Sequence, residues 1–98
     1  MKYRFHPAAE AEHLEQIAFY ESRERGLGGR YLDHFRQAIR NVCESPARFP
    51  VEQLPDIRRA RVQAFPFTIL YREQGDGIQV LAVAHYRRRP RYWLGRVS

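Results

Sequence analysis

The first half of the chain carries apolar residues at helical spacing. Residues 8–25 are rich in alanine and glutamate, which favour a helix, and Pro7 suits its first position. The apolar stripe of this helix consists of Ala11, Leu14, Ile17 and Ala18. A second helix is predicted over residues 30–44, with Leu32, Phe35, Ala38, Ile39 and Val42 on its stripe. Because glycine-rich residues 26–29 separate them, the two helices should form a hairpin that covers one face of a sheet.

Apolar positions outside the helices follow the shorter period of strands. Strands are predicted over residues 3–6, 57–64, 67–72 and 78–86. Residues 45–55 contain three prolines and are predicted to form an irregular surface loop. The order β-α-α-β-β-β predicts a single α+β domain over residues 1–98. In this fold the helix hairpin packs on one face of a mainly antiparallel four-stranded sheet.

The last strand organises the chain. Between residues 78 and 84 only Gln79 is polar, which predicts a strand buried on both faces at the centre of the sheet. The tail, residues 87–98, follows directly and mixes arginines with aromatic rings. Because a buried strand is stiff, it should hold the tail in a defined position. Trp93 would either fold back onto the core or contact a partner.

Positive charge is concentrated at the C-terminal end. Residues 1–55 carry eight basic and eight acidic side chains, whereas residues 56–98 carry nine arginines and three carboxylates. The whole net charge of +6 therefore lies in the second segment. This asymmetry indicates an anionic partner, such as nucleic acid or an acidic protein surface. Arginine-favouring codon usage would explain why 16 of the 17 basic residues are arginine, but it would not explain their clustering.

Several other classes of protein are disfavoured by the composition. Cys43 is the single cysteine, which excludes an internal disulfide and fits a reducing cytoplasm. No apolar run approaches a membrane span, and the N-terminus has no secretory pattern. The histidines His6, His13 and His34 have no metal-ligand spacing with Cys43, so neither a metal nor a cofactor is predicted.

The chain resembles the RelE/ParE superfamily of bacterial toxins from type II toxin–antitoxin modules. The resemblance covers nearly the whole chain and depends on an ordered set of segments. These are the helix hairpin with Leu14, Ile17 and Tyr20, then Ser45-Pro46, Phe49-Pro50, residues 57–62, residues 65–72, and residues 80–85 followed by arginines.

The resemblance implies a small basic toxin that inhibits growth or stabilises a plasmid, and that a cognate antitoxin neutralises. ParE-like members poison DNA gyrase, whereas RelE-like members cut mRNA on the ribosome. RelE-like nucleases tend to use a group of lysine, arginine and tyrosine, and this chain has only Lys2. The ParE-like branch is therefore favoured. A ribosome-dependent endonuclease and a non-toxic nucleic-acid-binding module remain the alternatives.

If the protein cuts RNA, three residues are the catalytic candidates. Cleavage needs proton transfer and cations that hold the phosphate. His85 is the only histidine of the basic segment, Arg61 would hold the phosphate, and Tyr92 lies where RelE-like toxins place a functional C-terminal tyrosine. The alternative for His85 is a hydrogen-bonded residue at a strand end.

Two further sets of residues are predicted to bind partners. The set for the target or for nucleic acid is Arg59, Arg61, Arg72, Arg87, Arg88, Arg89, Arg91 and Tyr92. The alternative for Arg59 and Arg61 is a solvated strand face, and the alternative for Arg87, Arg88 and Arg89 is a solubility tail. The set for the antitoxin is Phe19, Tyr20, Tyr31 and Trp93, because the first three lie off the predicted apolar stripes.

Overall fold

The computed structural model describes residues 1–97, which form two α-helices, two short 3-10 helices (Pro46–Arg48 and Leu94–Arg96) and five strands. The α-helices are α1 (Pro7–Arg23) and α2 (Leu27–Glu44). The strands are β1 (Lys2–Phe5), β2 (Val51–Gln53), β3 (Ile57–Val62), β4 (Phe67–Gln74) and β5 (Gly77–His85). Ser98, the last residue of the predicted tail, lies outside the described residues. Neither α-helix combines the length and the apolar character needed to cross a bilayer.

The strands form one sheet in the order β1-β5-β4-β3-β2. β1 runs parallel to β5, and all other neighbours are antiparallel, so the α+β class and the mainly antiparallel sheet are confirmed. The predicted number of four strands is wrong, because β2 lies in the proline-rich segment that was expected to be an irregular loop. β2 pairs with the outer edge of β3, where the Arg59 N–H donates to the Pro50 carbonyl over 3.0 Å. A three-residue edge strand between prolines is too short to show strand alternation.

One face of α2 forms the centre of the core between the helices and the sheet. Its buried side chains are Tyr31, Phe35, Ala38, Ile39 and Val42, which belong to one cluster with inward-facing residues of the sheet. The predicted stripe is therefore confirmed from Phe35 onward. Leu32 is only half-buried, and its neighbour Tyr31 takes its place in the core.

The buried face of α1 differs from the predicted one. Ala9 and His13 are buried, whereas Leu14 is 59% exposed and Ala11 is also exposed. α1 packs against both α2 and β5. Because helix packing selects the face that allows the closest approach, the small side chain of Ala9 faces inward and the larger Leu14 faces outward. The expectation that Ala11, Leu14 and Ala18 face the sheet is wrong.

The turn between the helices is fixed by one carboxylate and one glycine. The Glu21 carboxylate accepts the N–H of Gly26 at 3.0 Å and the N–H of Gly28 at 3.1 Å. Gly28 lies against α1, where an added Cβ would come within 2.7 Å of the Ile17 carbonyl oxygen. The two helices therefore touch backbone to backbone at this position.

β5 is covered on both of its faces. The register between β4 and β5 shifts after Leu70, so that Val80 faces the helices while Leu81 and Ala82 face the other way. We call the sheet surface turned away from the helices the open face. On this face Trp93 of the tail packs with Leu70 and Leu81 and is only 3% exposed. The prediction of a strand buried on both faces is confirmed, and Trp93 folds back onto the sheet.

His13 is a polar residue inside the aromatic part of the core. Its ring lies 4.2 Å from that of Phe35 and 5.2 Å from that of Phe5, measured between centroids. Among the described residues its Nδ1 atom has no hydrogen-bond partner, and the Tyr31 hydroxyl is in the same situation. Burial, reinforced by the charge of Arg36, lowers the pKa of His13 from 6.5 to about 4. The folded protein therefore holds this imidazole neutral.

The close approach at Gly28 predicts opposite effects for two neighbouring glycines. We expect Gly28→Ala to destabilise the fold by about 1–3 kcal/mol, because backbone atoms must move apart. Gly29→Ala is the control, since nothing lies within 4 Å of an added Cβ at that position. It should stabilise the helix by about 0.5–1 kcal/mol. Urea unfolding of both variants measures the difference, and equal effects would contradict the proposed contact.

The neutral imidazole of His13 predicts a loss of stability in mild acid. As pH falls below 6.5, the unfolded chain binds a proton that the folded chain rejects down to about pH 4. Between pH 7 and pH 5 the free energy of unfolding should fall by about 1.5–2 kcal/mol from this residue. His13→Phe, which keeps an aromatic ring, should largely remove that dependence in urea titrations at the two pH values. An unchanged dependence would assign it to other groups.

Candidate functional site

A shallow concave pocket lies between the open face of the sheet and the tail. Its volume is about 310 Å³. Residues of β3, β4 and β5 form one side, and the tail forms the other. Four guanidinium groups line it, those of Arg59, Arg88, Arg89 and Arg91, and Glu52 is the one carboxylate among its lining residues. Arginines that are concentrated in the C-terminal part of the sequence therefore also lie close together in the folded protein.

The sheet side of the pocket follows from strand register. Ala60 and Val62 point into the core, so Arg59 and Arg61, which alternate with them along β3, point to the open face. Arg61 is level with Thr68 and Ala84 across the sheet, and Arg59 is level with Leu70. This alternation brings the two β3 arginines to the end of the open face where the tail begins.

Arg72 is separated from the other predicted binding residues. It is level with Gln79, and its Nε donates to the Gln79 side chain over 3.0 Å. It does not line the pocket between the open face and the tail. Arg87 does not line that pocket either. The pocket thus brings together five of the predicted binding residues: Arg59, Arg88, Arg89, Arg91 and Tyr92.

The tail is held by short-range hydrogen bonds and by Trp93. The Arg88 N–H donates to the His85 carbonyl, and the Tyr92 N–H donates to the Arg89 carbonyl. Between these bonds Arg91 has a φ of 61°, a left-handed conformation that costs energy for a residue with a side chain. The burial of Trp93 on the sheet helps to hold this turn.

Among the described residues, most arginines of the predicted binding set have no internal counter-ion. Arg59 pairs with Glu52 at 3.1 Å, and Arg88 lies 3.9 Å from Glu12. In the described part of the chain, five predicted binding residues have no carboxylate within 4.0 Å: Arg61, Arg72, Arg87, Arg89 and Arg91. The Arg61 Nε instead donates to the Tyr86 hydroxyl over 2.8 Å. These uncompensated charges are available to an anionic partner.

His85 serves a turn at the end of β5, where it lines the pocket and also borders the helix side of the sheet. Its ring meets the Phe67 ring edge to face at 5.1 Å, and it borders a groove with Phe19 and Tyr20 of α1. Its Nδ1 accepts the Arg87 N–H over 3.0 Å. With Nδ1 accepting this hydrogen bond, the neutral tautomer carries its proton on Nε2. This arrangement matches the hydrogen-bonded alternative for His85.

The Tyr92 hydroxyl is engaged with α1. It donates to the Glu12 carboxylate over 2.6 Å, and its ring lies 3.9 Å below the Arg88 guanidinium. Burial and the neighbouring Glu12 raise the pKa of Tyr92 above its ordinary value. The hydroxyl therefore stays protonated and occupied.

Two of the three catalytic candidates, His85 and Tyr92, line the pocket, and Arg61 does not. Each one is engaged by another group: Arg61 Nε donates to the Tyr86 hydroxyl, His85 Nδ1 accepts the Arg87 N–H, and the Tyr92 hydroxyl donates to Glu12. An RNA-cutting site needs its base, acid and phosphate clamp around one phosphate. The contacts made by these groups instead hold the tail and its turn in place.

Glu12 is the residue of this region that sequence reasoning missed. Its carboxylate accepts from the Val83 N–H at 3.0 Å and from both terminal nitrogens of Arg96 at 2.9 and 3.0 Å. Burial alone would raise the pKa of Glu12. Hydrogen bonds from Arg96, Tyr92 and Val83 outweigh that effect, so the pKa lies below its ordinary value. No local pattern indicates this role, because Arg96 is 84 positions away.

The aromatic residues predicted to meet an antitoxin differ widely in exposure. Phe19 is 48% exposed, and Tyr20 is half-buried against Phe65. Tyr31 is fully buried, so the prediction that it lies off the apolar face of its helix is wrong. Trp93 is also buried on the sheet. Only the first two residues present surface to a partner.

The described residues contain no metal-binding group. Within residues 1–97, no three side chains of His, Cys, Asp or Glu are arranged to hold an ion. Cys43 is a free, half-buried thiol, and burial raises its pKa.

Comparison with known proteins identifies a family. A family model described as the ParE toxin of the type II toxin–antitoxin system parDE matches residues 3–90. A solved structure of the chromosomal ParDE TA system from P. aeruginosa superposes with a TM-score of 0.70 at 16% identity. That alignment covers 87% of this chain and 95% of the other, and at this identity it shows the fold alone. No curated protein matches the chain.

The position of the arginines predicts which of them bind a polyanion. We expect Arg89→Gln to weaken binding of a heparin fragment. The slope of log affinity against log salt concentration should fall by roughly one, because one ionic contact is lost. Arg72→Gln removes the same charge outside the pocket and should leave affinity nearly unchanged. Titration at several salt concentrations compares the two variants, and equal losses would show that net charge alone governs binding.

Proposed function

This chain belongs to the ParE toxin family of type II toxin–antitoxin systems, and on that basis we propose that it inhibits growth by binding DNA gyrase. In this proposal the pocket between the open face and the tail is the contact surface for the target. A cognate antitoxin, made alongside the toxin in the cytoplasm, covers the toxin and neutralises it.

The observation that carries this proposal is the imbalance of charge around the pocket. Four guanidinium groups line it with one carboxylate, Glu52, and that carboxylate already pairs with Arg59. Arginine forms paired hydrogen bonds with carboxylates and phosphates, so the surface suits an acidic region of a large partner. Its uncompensated charge would also speed association with such a partner.

The geometry favours binding over RNA cleavage. Proton transfer at the 2′-hydroxyl needs a free base, and the Nδ1 atom of His85 is occupied by the Arg87 N–H. The Tyr92 hydroxyl is likewise occupied by Glu12. These contacts support a toxin that acts by occupying its target, and they leave a ribosome-dependent endonuclease as the second candidate.

The antitoxin of this proposal joins an acidic segment to apolar anchors. An anionic segment that folds on binding would neutralise the arginines of the pocket. Phe19 is 48% exposed and Leu14 is 59% exposed on α1, and both offer apolar surface to such a segment. Tyr31 and Trp93 have no part in this contact, because both are buried within the toxin.

Expression of the chain alone should arrest growth, and co-expression with the neighbouring reading frame should restore it. Purified toxin should inhibit gyrase supercoiling in vitro. The triple variant Arg59→Gln, Arg89→Gln, Arg91→Gln should lose both effects, because it removes three charges of the pocket. The triple variant Arg23→Gln, Arg25→Gln, Arg40→Gln removes the same number of charges from the helices and the turn between them, and it should remain toxic.

Three outcomes would contradict the proposal. Toxicity with unaffected gyrase and new mRNA ends within translated codons would establish the endonuclease instead. Normal growth in both strains would favour a non-toxic nucleic-acid-binding module. Equal toxicity of the two triple variants would show that the arginines of the pocket do not form the contact with the target.

A further inference from the structure

The tail is attached to the rest of the molecule at two places. Trp93 packs on the open face with Leu70 and Leu81. On the other side of the tail, Tyr92 and Arg96 both bond to Glu12 of α1. The first attachment is apolar, and the second is ionic and directional.

Glu12 and Arg96 occupy a part of the β5 edge that no strand of the described residues covers. β1 pairs with β5 from Gly77 to Val80, and the chain then turns into α1. Beyond that point the Val83 N–H donates to Glu12, and the Leu81 carbonyl accepts from the Arg96 guanidinium over 3.0 Å. The two side chains thus take the place of a missing strand and join the tail, α1 and β5 at one point.

The Glu12 carboxylate also influences the position of the arginines of the pocket, through its contact with Tyr92. The Arg88 guanidinium lies over the Tyr92 ring at 3.9 Å and is 3.9 Å from the Glu12 carboxylate. Glu12 therefore fixes Tyr92 directly and Arg88 through it. Arg89 and Arg91 lie between Arg88 and Tyr92 in the chain.

The apolar contacts of the tail are separate from the main core. Tyr92, Trp93 and Val97 belong to the cluster on the open face, and none of them belongs to the cluster between the helices and the sheet. Loss of the tail contacts would therefore expose the open face and leave the larger core in place.

We propose that Glu12 is a positioning residue for the pocket. It holds the tail docked on the sheet, and without its charge the tail detaches as a unit while the helices and the sheet stay folded. In Glu12→Gln an amide nitrogen replaces one oxygen and faces the donors of Arg96 and Tyr92, so the ionic attachment is lost. The effect on the target rests on the proposed function, whereas docking of the tail does not.

Trp93 makes this proposal measurable, because it is the single tryptophan of the chain. In the docked tail its side chain is buried, so its fluorescence reports docking directly. Glu12→Gln should shift Trp93 emission to longer wavelength and increase its quenching by acrylamide, while the far-ultraviolet circular dichroism stays that of the wild type. Glu15→Gln removes the same charge from an exposed position of α1 and should change neither signal.

A second variant tests the same bond from the tail. Arg96→Gln should produce the same change in Trp93 as Glu12→Gln, because each removes one partner of the pair. Wild-type emission and quenching in both variants would overturn the proposal. Loss of the circular dichroism signal together with the Trp93 change would also overturn it, because the tail and the core would then form one cooperative unit.

Growth inhibition by the same variants separates this proposal from the proposed function. Glu12→Gln should be less toxic than Glu15→Gln. If Glu12→Gln frees Trp93 and yet remains as toxic as the wild type, Glu12 has no positioning role, and the proposed function stands. If the wild type is not toxic, the proposed function fails, and the fluorescence still decides whether Glu12 docks the tail.

Discussion

Burial of β5 on both faces is the constraint on which the rest of the structure depends. A strand without outward polar residues must be covered twice, because exposed apolar surface is unfavourable in water. α1 and α2 cover one face, where Val80 and Val83 join the main core. Trp93 covers the other face above Leu81. The second cover comes from the tail, and therefore the basic residues of the tail have a fixed place.

Hydrophobic burial and charge thus act on the same short segment. Trp93 is buried, and the arginines that precede it are left at the rim of the pocket. Guanidinium groups near apolar surface lose less on leaving water than ammonium groups do, since they are more weakly hydrated. The arginines at the rim are consequently suited to a large anionic surface, and few internal carboxylates compete for them.

The polar contacts around the tail explain why the site has the character of a binding surface and not of a catalytic centre. His85 accepts the Arg87 N–H, and the Tyr92 hydroxyl donates to Glu12. Each of these groups also has the chemistry of a catalyst, but here each one stabilises the path of the chain. The Glu12 carboxylate closes the β5 edge and anchors the tail with the same two oxygens. The geometry of the pocket therefore depends on a residue that does not line it.

The sequence alone determined the features that depend on local patterns. The face of α2 from Phe35 to Val42 and the burial of β5 follow from regular spacing and from an unbroken apolar run. The concentration of charge after residue 56 is a property of composition. The ordered set of segments was also sufficient to predict the family and the α+β class.

Only the tertiary structure decided the features that depend on contacts between distant segments. α1 turns Ala9 and His13 inward and Leu14 outward because the helix must approach α2 and β5 closely, and periodicity does not measure that fit. β2 exists only because the edge of β3 is beside it. The bond between Glu12 and Arg96 joins residues 84 positions apart. Such contacts form when the folded chain brings the two segments together, so no local pattern of residues encodes them.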